Sequence, residues 1–129
     1  MSTIPLHWLL LLLSSLTGVQ PPPDVPRGMM VAVRPLPAPY SGYNCGDGVG
    51  ALDPICPSSI GIRAGDVVLD DALWAHPYTM QHLAMHELGH TVCSNKGGNS
   101  EECAEGYACQ WVPMGITVSG VECRRDGAR

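Results

Sequence analysis

The sequence predicts a small α+β domain in which short strands pack on one long helix, a second helix lies beside it, and disulfides staple the whole. Three observations lead there. Met80, Leu83, Ala84, Leu88 and Val92 recur at helical spacing. Residues 29–33 and 65–71 are short apolar runs, partly β-branched and bracketed by turn formers or prolines. The six cysteines, Cys45, Cys56, Cys93, Cys103, Cys109 and Cys123, form an even set behind an apolar N-terminus. With 129 residues the chain has room for one core and not for two.

Taken in order, residues 1–20 read as a secretory signal, because an unbroken apolar run from Trp8 to Leu13 gives way to Ser14, Ser15, Thr17 and Gly18. The apolar stretch is interrupted by Pro5 and His7 and falls short of the roughly 20 residues a membrane span needs. Residues 21–27 are a proline-rich lead-in, and residues 28–125 form the folded domain. Export makes three disulfides the expected state of the cysteines. Six cysteines allow fifteen pairings. The expectation adopted joins neighbours: Cys45 to Cys56, Cys93 to Cys103 and Cys109 to Cys123.

Residues 41–57 read as a stapled loop rich in Gly, Asp and Pro. The long helix starts at Pro77 or Thr79 and stops before Gly97 and Gly98. A second helix starts at Asn99 or Ser100 and ends before Pro113. If Asn99 is the cap, Glu102 reaches back to it. Residues 116–121 are a last strand or a tail tied down by Cys123.

The chemistry centres on Met85-His86-Glu87-Leu88-Gly89-His90. On a helix, His86 and His90 lie one turn apart on one face and can offer nitrogens to one ion. Glu87 is turned away from them and suits a general base acting on water. Two histidines do not complete a catalytic zinc site, which takes three protein ligands. A metzincin would continue with a glycine and a third histidine, and here those positions hold Cys93 and Lys96. The oxygen donors close downstream are Glu101, Glu102 and Glu105. With 7 basic and 12 acidic residues, a net charge of -5 and no basic cluster, nucleic acid is excluded as a partner class.

The run Glu101-Glu102-Cys103-Ala104-Glu105-Gly106-Tyr107-Ala108, following the His86 to His90 motif, resembles the short gluzincins, including the minigluzincins. The resemblance covers about half the chain and implies a zincin-like fold binding one Zn²⁺ per chain. It further implies that Glu101 is the third zinc ligand, that Glu105 bonds a ligating histidine, and that the strand at residues 67–69 lies beside the cleft and pairs with extended substrate. Ala104 and Ala108 are small enough for the two helices to approach closely, and a Cys93–Cys103 bridge would fix the third ligand relative to the first two.

The resulting expectation is a secreted zinc metallopeptidase acting on a peptide or protein substrate, with Glu87 as base and no stable membrane insertion. Tyr107, His76 and His82 are the candidates for the oxyanion donor, in that order. The alternatives are a deformylase-like metal amidase taking Cys45 as third ligand and a non-catalytic zinc-binding protein on a peptidase scaffold.

Overall fold

A computed structural model of the chain describes residues 3–46, 48–95, 97–98, 100–113 and 123. Among them the order of elements is β1 (Ile4–Pro5), α1 (Leu6–Thr17), β2 (Met30–Arg34), β3 (Gly42–Asn44), β4 (Val67–Asp70), α2 (Pro77–Asn95) and α3 (Glu101–Trp111). Short 3-10 turns cover Ser58–Ile60 and Asp71–Ala75. Among the described residues three helices, a mixed four-stranded sheet and three disulfides make an α+β fold.

The sheet order is β1-β2-β4-β3. β2 and β4 run parallel, with Val31 opposite Val67, Ala32 opposite Val68 and Val33 opposite Leu69, while β1 and β3 pair antiparallel on the outside. Because side chains alternate across a strand, this register sorts the valines by layer. Val31, Val33, Val67 and Leu69 join the main core with the helices, whereas Ala32 and Val68 join a small satellite apolar cluster with Cys45, Cys56 and Ile62. The stapled loop thus roofs the far face of the sheet.

Residues 41–57 therefore hold more than a loop, since β3 lies within them and forms a sheet edge. β4 is paired on both sides, which corrects its expected place as the strand that meets substrate.

α2 starts with Pro77, whose missing N–H costs nothing in the first turn. It ends where Gly97 takes a positive φ of 84° and the amides of Gly97 and Gly98 return to the carbonyls of Ser94 and Cys93. Ser100, not Asn99, caps α3: its hydroxyl accepts from the Cys103 amide at 3.0 Å. Cys103 therefore occupies the position expected of Glu102, and Glu102 is an exposed first-turn residue. The cysteines pair as neighbours throughout, and the three disulfides are consistent with an oxidising, extracellular environment. The expected element at residues 116–121 lies outside the described residues.

The segment read as an export signal forms β1 and α1 here. Leu6, Leu9, Leu10 and Leu13 are completely buried in the main core. Gln81 of α2 ties down the end of α1, accepting from the Thr17 hydroxyl at 2.6 Å and donating to the Val19 carbonyl at 2.9 Å. The outer face is also apolar, with Trp8, Leu11, Leu12 and Leu16 exposed. No helix among the described residues is long and apolar enough to cross a membrane.

Truncating a side chain buried to this degree leaves a cavity as well as losing transfer energy. Leu9→Ala, in the chain that keeps α1, is expected to cost about 2–5 kcal/mol in chemical denaturation. A loss below about 1 kcal/mol would show that α1 is not part of the stable core.

Candidate active site

α2 is buried almost all round from Met80 to Gly89, and each polar side chain in that stretch faces a neighbouring element. Gln81 meets α1, His82 and His86 meet α3, and Glu87 meets β3. Gln81, His82 and His86 find hydrogen-bond partners there, as buried polar groups require.

α3 crosses α2 at Gly89. A Cβ on that residue would lie 2.8 Å from the Ala104 carbonyl oxygen, 3.0 Å from Ala104 Cα and 3.2 Å from Tyr107 Cβ. Ala104 and Ala108 are fully buried, so small residues on both helices permit the approach. Cys93 and Cys103 bridge the same two helices near their connection. Glu101 and Glu105, one turn apart, then face His86 and His90.

Glu101 spans the two imidazoles: Oε1 is 3.0 Å from His86 Nε2 and Oε2 is 2.9 Å from His90 Nε2. One ligand atom from each of the three residues can be chosen with all within 4.8 Å of one another. Ligands held 2.0–2.1 Å from one ion at tetrahedral angles stand about 3.3 Å apart, so the group needs little rearrangement to hold a metal. The donor set also fits, since His86 keeps Nε2 for the ion while its Nδ1 lies 3.0 Å from Glu105 Oε1. Among the described residues this is the only such group.

Glu87 is 5 % exposed and lies against β3, where a Cβ on Gly42 would come within 3.1 Å of its Oε2. Burial pushes its pKa up, the His86 charge opposes this, Glu101 and Glu105 add to the rise, and the result is about 7. Burial also disfavours the His86 imidazolium. There, however, the Glu105 hydrogen bond and the charges of Glu87, Glu105 and Glu101 prevail, and the His86 pKa is raised.

A cleft of about 730 Å³ opens over these groups. β3 lines one side, Glu87 and His90 its floor and Glu101 the rim. Asn44 fastens β3 to the motif helix, its amide donating to the Glu87 carbonyl at 2.8 Å and to the Thr91 hydroxyl at 2.9 Å. Neither Asn44 nor Gly42 was legible as a site residue, because their roles arise from a strand pairing that the sequence pattern does not announce.

The three candidate oxyanion donors are not brought to the cleft. Tyr107 packs on the main core, and its pKa is raised by burial and by the charge of Asp24 in the proline-rich lead-in. His76 sits just before α2, ten positions and thus about 15 Å of helix from His86. His82 is fully buried. Cys45 and Cys93 are both in disulfides, so neither can supply a thiolate and the deformylase-like ligand set is excluded.

Two outcomes follow. Gly89→Ala is expected to force the helices apart, destabilising the protein by about 1–3 kcal/mol and weakening metal binding, as measured by denaturation and chelator competition. Glu87 has a folded pKa above its unfolded value of 4.5, so ionising it opposes folding. Its penalty is absent below about pH 4.5, grows as pH rises, and is complete above about pH 7. Metal-free Glu87→Gln is therefore expected to gain stability over the parent across that range, by about 3 kcal/mol at most. A difference independent of pH would contradict the burial of this carboxyl. No family model, curated protein or solved structure matches the chain, so the site is read from its own geometry.

Proposed function

We propose that the protein is a zinc-dependent peptidase that hydrolyses peptide bonds with Glu87 as general base. The observation that carries this reading is the place of Glu87, a buried carboxyl with a pKa near 7, on the cleft floor beside the His86, His90 and Glu101 group and outside it. Metal binding alone gives that carboxyl no role, and burying it without one costs stability.

Two imidazoles and one carboxylate suit zinc better than calcium or magnesium. Zinc, when bound, supplies a Lewis acid that polarises a carbonyl and makes water more acidic. The chain's own residues do the rest. Glu87 would take the proton from the attacking water at its carboxylate and return it to the leaving amine. Glu105 holds His86 by Nδ1. β3, an edge strand at the cleft, offers backbone groups to which an extended peptide can add as a further strand. The disulfides support action outside the cell.

Purified protein reconstituted with zinc is expected to hold about one ion per chain, and less than a tenth of that would sink the metal centre. Glu101→Ala should lose zinc and activity together. Glu102→Ala should keep both and cost at most about 1 kcal/mol of first-turn electrostatics. Glu87→Ala should abolish cleavage of a peptide library while retaining zinc. Undiminished cleavage by that variant would remove the proposed base, and a zinc-loaded parent with no cleavage would favour a binding protein.

A further inference from the structure

His82 stands one turn before His86 on α2 and is wholly buried, so it cannot touch a substrate. A leucine or methionine would fill such a place without removing an imidazole from water. Its polar atoms are instead matched at two points, on α3 and just past its end. Nδ1 lies 2.6 Å from the carbonyl oxygen of Val112, just past the end of α3. Because a carbonyl only accepts, Nδ1 carries the proton and donates. Nε2 lies 2.9 Å from Glu105 Oε1, the same oxygen that meets His86 Nδ1 at 3.0 Å. A carboxylate also only accepts, so this second bond forms with the imidazolium, in which both ring nitrogens donate.

These contacts form one buried line from Val112 through His82 and Glu105 to His86. We propose that His82 is a positioning residue for the metal centre, fixing the Glu105 carboxylate so that the His86 ring is held with Nε2 toward His90 and Glu101. This rests on the proposed metal centre and extends it by one layer. Gripping α3 at both Glu105 and Val112 also fixes how far that helix slides along α2. A shift by one residue, about 1.5 Å, would break both bonds and carry Glu101, one turn ahead of Glu105, out of reach. Outer groups of this kind set ligand orientation, and losing one typically weakens metal binding 10–100-fold.

The substitutions separate the two bonds. His82→Phe removes both, His82→Asn keeps an amide near the Nδ1 position for Val112, and His82→Gln keeps one near Nε2 for Glu105. Two readouts are used: zinc affinity by chelator competition, and the exchange rate of the His86 Nδ1–H proton by NMR with and without zinc. His82→Phe and His82→Asn are expected to lose about tenfold or more in zinc affinity and to speed exchange of that proton, while His82→Gln stays within about threefold of the parent. If His82→Phe does not fold, the Asn and Gln variants decide, and equal losses in both overturn the proposal. A folded His82→Phe with parental zinc affinity and a protected His86 proton also overturns it. If the parent takes up no zinc, the metal centre falls. The proton measurement on the metal-free variants then still decides for or against His82.

Discussion

The site depends on how closely two helices can meet. At Gly89 the backbone of α3 occupies the space in which any other residue would place its Cβ. Glu101 and Glu105 are short-armed groups carried on a helix of their own, so they reach His86 and His90 only if the two axes lie this near. The Cys93–Cys103 bridge acts on the same pair from the side of the connection, and Ser100 caps α3 one residue before Glu101. A local backbone requirement at one glycine thus sets the geometry of a group whose members come from separate helices.

Closeness of this kind also decides the electrostatics. Glu105 is nearly inaccessible to water, yet it meets two imidazoles through one oxygen, which offsets the cost of burying it. Glu101 is the opposite case. Its side chain is 75 % exposed and reaches inward to both histidines from the rim. Two acids one turn apart on the same helix therefore divide the work: the buried one orients, and the exposed one is free to exchange its imidazole partners for a metal.

Much of this centre was legible because helical spacing is a strong local rule. The four-residue steps from His86 to His90 and from Glu101 to Glu105, with Ala104 between the acids and Ala108 beyond them, placed donors on facing sides, and the structure brings them together. Cysteine pairing by proximity along the chain was legible for a similar reason, short loops being easily closed. β3 was not. Gly42-Tyr43-Asn44 has no apolar alternation, and it is a strand because β4 offers it a partner and Asn44 bonds to α2. The first helix poses a different problem. A run of leucines satisfies an export signal and a core helix equally well on composition, and only its packing against Gln81 and the sheet distinguishes the second role.

The edge strand explains why Glu87 is both buried and near the cleft. Gly42 lets β3 pass within van der Waals reach of the carboxyl, excluding water from one side, while the cleft opens on the other. Dehydration raises the pKa of an acid, and proximity to His86 limits the rise, so the balance near 7 is a product of position. A side chain larger than glycine at residue 42 would push the carboxyl aside, whereas a more distant strand would let it hydrate and behave as an ordinary glutamate. The same strand that would receive an extended peptide under the proposed function therefore also tunes the base that would act on it. Asn44, bonded to the Glu87 carbonyl, keeps the two in register.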